Sequence, residues 1–223
     1  MSMSEVKTLR VVVLISGSGS NLQALIDGVT KGELPIEIAA VISNRPEVLG
    51  LTRAAQAGIP TQVLDHKGFT SREAFDQELA RTIDTYNPGL IVLAGFMRIL
   101  TAEFTQHYLG RMLNIHPSLL PKFQGLHTHQ RAIDASESTH GVTVHFVTAE
   151  LDGGPAIVQA IVPVLAGDDA GLLAKRVQRQ EHVIYPLAVK WFAQGRLKML
   201  DGKAELNGEL LPACGYQIEA NEP

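Results

Sequence analysis

The chain has 223 residues, of which 45% are hydrophobic and 19% charged, and this composition predicts one compact domain with a sizeable core. The formal net charge is −4 and no basic run stands out, which argues against a nucleic-acid partner. Apolar runs such as Val11–Ile15 are strand-sized, far below the roughly twenty residues that span a bilayer, so no membrane segment is predicted. A lone Cys214 and a polar opening segment, 1–10, indicate a reducing, cytoplasmic compartment.

Short β-branched or aliphatic runs alternate with longer amphipathic stretches, which is typical of strand–helix–strand units that build a parallel sheet. The predicted strands lie near 10–16, 36–43, 61–64, 90–94 and 112–116, and the predicted helices near 21–31, 49–57, 71–86 and 101–108. Thr70 and Glu73 predict a capping box at the start of the third helix. We expect an open, twisted, mostly parallel α/β sheet with helices on both faces.

The pattern changes from Gly141 onward. Apolar and polar residues alternate, and a second strand-like run over 156–164 follows Gly153-Gly154-Pro155. This pattern predicts an antiparallel C-terminal hairpin. An amphipathic segment over 170–194 predicts a helix that Pro186 should kink or divide. The tail, 201–223, carries no functional signal.

A glycine-rich loop follows the first predicted strand and opens the first helix. Its sequence is Ser16-Gly17-Ser18-Gly19-Ser20-Asn21. Successive N–H groups and the positive end of a helix dipole favour an anion such as phosphate there. The alternative is a tight turn capped by Ser18 or Ser20. The loop lacks the third glycine of a dinucleotide fingerprint and the lysine of a P-loop.

The fifth predicted strand ends in Asn114-Ile115-His116-Pro117-Ser118. Alternation puts Asn114 and His116 on one side, at the carboxyl edge where open α/β sheets bind ligands. An imidazole that transfers protons and an amide that donates to an oxyanion suit attack on a carbonyl. The pair alone is also compatible with an ordinary capped strand end. Asp152, in a glycine-rich loop between two strands, can come beside His116 and favour its protonated ring.

Five histidines within thirty residues raise the alternative of a metal site: His116, His127, His129, His140 and His145. No cysteine or His-Glu-x-x-His pattern supports one, so no metal is predicted. His127-Thr128-His129 is interpreted as a polar loop near the site.

Four segments in this order resemble the single-domain bacterial phosphoribosylglycinamide formyltransferases, over about 11–200. They are Ile15–Ala24, Ala94–Leu100, Asn114–Pro121 and His145–Pro155. The resemblance implies a Rossmann-like formyltransferase fold with a phosphate-binding half, about 10–108, and a folate-binding catalytic half, about 109–200. It implies formyl transfer in purine biosynthesis from 10-formyltetrahydrofolate, as co-substrate, to the amine of glycinamide ribonucleotide (GAR).

The resemblance also assigns roles to single residues. His116 becomes the catalytic acid, Asn114 its oxyanion partner and Asp152 the carboxylate beside it. The substrate phosphate lies on Gly19, Ser20 and Asn21, and Glu181 accepts from ribose hydroxyls. The pterin lies beside Met97, Arg98, Ile99, Leu100, Asn114 and the 149–152 backbone, and Arg72 meets the folate glutamate. Gln124 and Gln130-Arg131 depart from the family pattern, which bears on loop conformation and not on chemistry.

Three alternatives differ in what they require. A 10-formyltetrahydrofolate hydrolase uses the same Asn–His–Asp centre with water as acceptor, but its relatives usually carry a further domain. A methionyl-tRNA formyltransferase needs a basic surface, which the charge of −4 opposes. A non-catalytic binding module would not need the three polar residues. The sequence leaves open whether the protein is a monomer or a weak homodimer.

Overall fold

The computed structural model describes residues 8–220. The first seven residues of the polar opening segment and the last three of the tail lie outside this range. The strands are β1 (Leu9–Ile15), β2 (Ile36–Ser43), β3 (Thr61–Val63), β4 (Leu90–Leu93), β5 (Met112–His116), β6 (Thr139–Phe146), β7 (Ala156–Pro163), β8 (Leu197–Leu200), β9 (Lys203–Leu206), β10 (Glu209–Leu210) and β11 (Tyr216–Glu219). The helices are α1 (Ser20–Thr30), α2 (Leu49–Gln56), α3 (Arg72–Asp84), α4 (Ala102–His107), α5 (Thr128–Asp134) and α6 (Ala170–Ala193).

Eight strands form one sheet in the order β11-β7-β6-β5-β4-β1-β2-β3. The neighbouring pairs β3·β2, β2·β1, β1·β4 and β4·β5 are parallel. Strand β6 runs antiparallel to both β5 and β7. The mostly parallel sheet and the antiparallel hairpin are therefore confirmed. A separate three-stranded antiparallel sheet, β10-β9-β8, follows α6.

Both faces of the large sheet are covered, because its strands alternate between two cores. Val11 and Val13 of β1 pack into a core that includes buried residues of α1 and α6. Val12 and Leu14 point the other way, into a core that includes Phe75 of α3. This is the burial expected of a parallel sheet with helices on both sides.

Three local predictions need correction. Ser71, and not Thr70, caps α3, since its Oγ accepts from the Ala74 N–H at 3.0 Å. Of the two outcomes expected at Pro186, division of α6 is wrong: the helix continues through Pro186, because a buried face along its length packs on the sheet and outweighs the lost backbone hydrogen bond. The segment predicted as a polar loop at 127–129 leads into α5, which begins at Thr128.

The tail also contains structure that the sequence did not reveal. After the small sheet, β11 returns to the large sheet and pairs parallel with β7, with Tyr216 beside Val158. Gly215 makes this return possible. Its φ is +73°, and a Cβ there would lie 2.7 Å from the carbonyl carbon and oxygen of Ile157.

Tyr185 connects α6 to β4 and β5. Its fully buried hydroxyl lies 2.7 Å from the Leu93 carbonyl oxygen and 3.0 Å from that of Leu113. We expect Tyr185→Phe to lower the free energy of unfolding by about 1–3 kcal/mol, because buried carbonyl groups lose their partner. Urea denaturation measures this change.

Tyr216→Phe is the matched control, since that ring is half exposed and the substitution should change stability by less than about 0.5 kcal/mol. Equal losses in the two variants would contradict a special contribution from the buried hydroxyl.

Candidate functional site

A cleft of about 600 Å³ opens at the carboxyl edge of the central strands, between α6 and the loops that follow β4, β5 and β6. It brings together most of the residues singled out from the sequence: Asn21, Met97, Arg98, Ile99, Leu100, Asn114, His116, Asp152 and Glu181. Gly19, Ser20 and Arg72 do not line it. Parallel strands of an open α/β sheet bind ligands at this edge.

His116 and Asp152 form a shielded pair at the centre of the cleft. His116 Nδ1 lies 3.5 Å from Asp152 Oδ2, and each side chain is only 8% exposed. His116 Nε2 donates to the Phe123 carbonyl oxygen at 2.9 Å. Because a carbonyl only accepts, the ring carries a proton on Nε2, and a second proton on Nδ1 makes its contact with the carboxylate attractive.

The loop that carries Asp152 has an uncommon backbone. Asp152 has a φ of 50°, in the left-handed region, and its Oδ2 accepts from the Gly125 N–H at 3.0 Å. Gln124 Nε2 contacts the carbonyl oxygens of Leu151 and Asp152 at 3.3 and 3.4 Å. Hydrogen bonds therefore connect the loop after β5 with the loop that carries Asp152. Gln124, which departs from the family pattern, forms two of these contacts.

Asn114 lies beside His116 on the cleft side of β5, as alternation predicted. The residue paired with Asn114 on the neighbouring strand is His145 of β6. Asn114 Nδ2 lies 3.3 Å from His145 Nε2, and that nitrogen lies 4.0 Å from Asp152 Oδ1. Sequence reasoning missed this contact, because it depends on the register between two strands that 22 intervening residues separate.

The glycine loop leaves the start of α1 without a side-chain cap, so the alternative in which Ser18 or Ser20 caps the helix is wrong. Gly19 is the N-cap, with a φ of 70°, and a Cβ there would lie 2.6 Å from Gly50 Cα. Arg53 of α2, which sequence reasoning also missed, donates to the Ser18 carbonyl oxygen at 2.9 Å. Uncapped N–H groups beside a guanidinium favour an anion.

Asn21 and Glu181 connect this loop to the cleft. Asn21 Nδ2 donates to Glu181 Oε2 at 2.8 Å, and Asn21 Oδ1 is buried without a hydrogen-bond partner among the described residues. Burial raises the pKa of Glu181, while the hydrogen bond from Asn21 opposes that rise. Glu181 is therefore a partly buried carboxyl group that lines the cleft, and not a fully exposed surface charge.

The segment after β4 forms an apolar wall of the cleft. Met97 and Ile99 are 58% and 57% exposed, so they are not core residues. Leu126 and Leu151, on two other loops that line the cleft, are 63% and 52% exposed. Exposed apolar side chains that line one cleft suit a ligand with a large apolar surface. Arg72 lies exposed at the first position of α3, outside this wall.

The histidines do not form a metal centre: within residues 8–220 no group of three His, Cys, Asp or Glu side chains could hold an ion. His129 Nδ1 instead lies 3.2 Å from His140 Nε2. Burial lowers the pKa of His140 to about 4, with a smaller contribution from His129.

Among the helices of residues 8–220, none combines the length and the hydrophobicity of a membrane-spanning segment.

A family model described as formyl transferase matches residues 9–189. The phosphoribosylglycinamide formyltransferase of Escherichia coli (strain K12) is 56% identical over 211 residues, which cover 95% of this chain and 100% of that protein. The Haemophilus influenzae enzyme of the same name is 48% identical, with coverage of 94% and 99%. A solved phosphoribosylglycinamide formyltransferase from Coxiella burnetii superposes with a TM-score of 0.92 at 52% identity, covering 95% of this chain and 100% of that one.

The family match contains the glycine loop, all three polar residues at the centre of the cleft, and Glu181. The relatives named here are transferases, and they give no support to the hydrolase alternative. The chain belongs to the formyl transferase family, among the phosphoribosylglycinamide formyltransferases.

Proposed function

We propose that this formyltransferase works by direct transfer, in which the amine of GAR attacks the formyl carbon of 10-formyltetrahydrofolate in purine biosynthesis. The observation that carries the proposal is the convergence of Asn114, His116 and Asp152 on one cleft, with His116 Nδ1 3.5 Å from Asp152 Oδ2. No metal and no covalent enzyme intermediate take part. Cys214, which is partly buried near the end of the chain, does not line the cleft.

Attack forms a C–N bond and turns the formyl oxygen into an oxyanion. Asn114 donates an N–H to this oxygen. His116 also donates to it through Nε2, whose present hydrogen bond to the Phe123 carbonyl oxygen is then replaced by the one to the oxyanion. Asp152 stabilises the protonated ring of His116. The bond from the formyl carbon to the folate nitrogen then breaks, and a water near Asp152 carries the proton of the attacking amine to that nitrogen.

GAR is placed by the glycine loop, which adjoins the cleft at Asn21, and by Glu181 in the cleft. Its phosphate lies on the backbone N–H groups of Gly19, Ser20 and Asn21, where no side chain caps α1. Glu181, held by Asn21 at 2.8 Å, accepts from the ribose hydroxyls. This arrangement directs the glycinamide amine along the cleft toward His116.

The folate occupies the apolar end. The pterin packs beside Met97, Arg98, Ile99 and Leu100 and against the 149–152 backbone. The formyl group, on the folate nitrogen beyond the pterin, lies next to Asn114. Arg72 meets the glutamate carboxylate outside the cleft. Its exposed position on α3 is compatible with a contact to a ligand tail that leaves the apolar wall.

We also propose that the enzyme acts in the cytoplasm as a monomer or a weak homodimer. Sedimentation velocity over a range of concentrations, with activity measured alongside, distinguishes the two states.

Substitution of the three central residues tests the chemistry. We expect His116→Ala and Asp152→Asn to lower kcat by about 10²- to 10⁴-fold through loss of the proton donor and of its orientation. Asn114→Ala should lower kcat by about 10²- to 10³-fold through loss of an oxyanion donor. Steady-state kinetics and circular dichroism on each variant separate lost chemistry from lost structure.

His107→Ala is the matched control, because His107 is exposed on α4 and outside the cleft. Its kcat should match that of the unsubstituted enzyme. Near-normal transfer by folded His116→Ala or Asp152→Asn enzyme would refute the assignment.

Turnover should also require the amine. Incubation with 10-formyltetrahydrofolate alone should release little tetrahydrofolate, and addition of GAR should start deformylation, because direct transfer needs the amine as nucleophile. Release at the same rate without GAR would identify a hydrolase instead.

Glu181→Gln tests the ribose contact. We expect the KM for GAR to rise by about tenfold or more, since a neutral amide that is only half acceptor replaces a carboxylate that accepts with both oxygens. The KM for 10-formyltetrahydrofolate should stay unchanged. Glu103→Gln is the control, because Glu103 is an exposed residue of α4 outside the cleft, and it should leave both KM values unchanged. A rise in both KM values in Glu181→Gln would mean that the residue supports the whole cleft.

A further inference from the structure

His145 is a buried histidine that the proposed mechanism does not use. Its side chain is only 2% exposed, and it lies on β6 directly opposite Asn114 of β5. It contacts Asn114, Asp152 and the backbone of Phe146. These contacts connect it to two of the three proposed catalytic residues.

The position of its protons follows from its partners. His145 Nδ1 lies 2.8 Å from the Phe146 carbonyl oxygen, which can only accept, so Nδ1 carries a proton. Burial lowers the pKa of His145 and outweighs the hydrogen bond to Phe146 and the Asp152 carboxylate, which raise it. A neutral ring with its proton on Nδ1 has a lone pair on Nε2, and this form fits the Asn114 Nδ2 group that lies 3.3 Å from Nε2.

A bare Nε2 can hold the Asn114 amide in only one of its two orientations. Nε2 lies 3.3 Å from Asn114 Nδ2, and only an N–H group can form a hydrogen bond to that lone pair. With Nδ2 held on this side, its second N–H is left for the cleft. The reverse orientation would put two acceptors against each other.

We infer that His145 is a positioning residue, a neutral hydrogen-bond acceptor that fixes the orientation in which Asn114 donates to the formyl oxygen. The inference rests on the proposed catalytic role of Asn114. It adds that a second, uncharged histidine favours the orientation in which the amide donates.

The same state of His145 preserves the pair between His116 and Asp152. His145 Nε2 lies 4.0 Å from Asp152 Oδ1, while His116 Nδ1 lies 3.5 Å from Oδ2 of the same carboxylate. A proton on Nε2 would turn His145 into a second cation beside that carboxylate and would remove the acceptor for Asn114. The neutral ring leaves the carboxylate to His116.

The test is a double-mutant cycle with His145→Phe, which keeps a flat ring and removes the acceptor. We expect His145→Phe to lower kcat by about 10- to 100-fold, less than the full loss of an oxyanion donor, with both KM values within about twofold. In the Asn114→Ala background the same change should lower kcat by less than about twofold, because no amide is left to orient. Combined with Glu181→Gln, it should keep its full effect on kcat.

The outcomes are distinct. If Asn114→Ala alone leaves kcat unchanged, the proposed catalytic role of Asn114 fails. If Asn114→Ala lowers kcat and His145→Phe multiplies that loss, His145 acts independently of the amide and the inference is wrong.

A measurement on the unsubstituted enzyme covers the case in which His145→Phe does not fold. Nitrogen-15 spectra of histidine-labelled protein, assigned through the backbone, should show His145 as the neutral tautomer with its proton on Nδ1 at pH values from about 6 to 8. A proton on Nε2 in this range, in a neutral or a charged ring, would overturn the inference.

Discussion

The register between β5 and β6 is the constraint on which the centre of the cleft depends. It pairs Asn114 with His145 and His116 with Thr143. Because side chains alternate along a strand, a slip by one residue would turn Asn114 and His116 away from the cleft together. The antiparallel return through β6 also carries the chain to the loop that holds Asp152 beside His116.

Buried polar groups behind His116 fix this register. Thr143 Oγ1 donates to the Ser118 carbonyl oxygen at 2.7 Å, and Gln159 of β7 donates to that of Leu120 at 2.8 Å. Gln217 of β11 in turn donates to Gln159 Oε1 at 3.1 Å. Each buried polar group that finds a partner here avoids a desolvation cost of about 1–3 kcal/mol. The tail, which gave no signal in the sequence, thus supports the turn that follows His116.

A second set of contacts connects the two ends of the cleft. Ser16, the last residue before the glycines, accepts from the Met97 N–H at 2.7 Å and donates to Asn44 Oδ1 at 2.5 Å. One buried hydroxyl therefore joins the end of β1, the end of β2 and the apolar wall. At the other side, Asn21 and Glu181 join α1 to α6. These hydrogen bonds consequently connect the segments that form the proposed phosphate and pterin sites.

Most of the large sheet could be predicted from local patterns, since buried parallel strands are continuous apolar runs and their helices have a 3.6-residue period. The parts that were missed depend on distant contacts. Helix α5 is short and polar, and β11 exists because β7 is there to pair with it. In the site, alternation along one strand predicted that Asn114 and His116 share a side. The contact between Asn114 and His145 and the arginine at the glycine loop require distances between strands and helices, which a local pattern does not contain.

The electrostatics of the cleft explain how a chain of net charge −4 can present a site for a phosphate. Backbone N–H groups at the start of α1 act over short distances and do not depend on the overall charge. Arg53 donates to the Ser18 carbonyl oxygen, so its charge also orders the loop. At the centre, the Asp152 carboxylate lies between two histidines, and only His116 contacts it as a cation in the proposed mechanism. The proposed chemistry depends on short contacts, such as the 3.5 Å between His116 Nδ1 and Asp152 Oδ2, instead of on a long-range field.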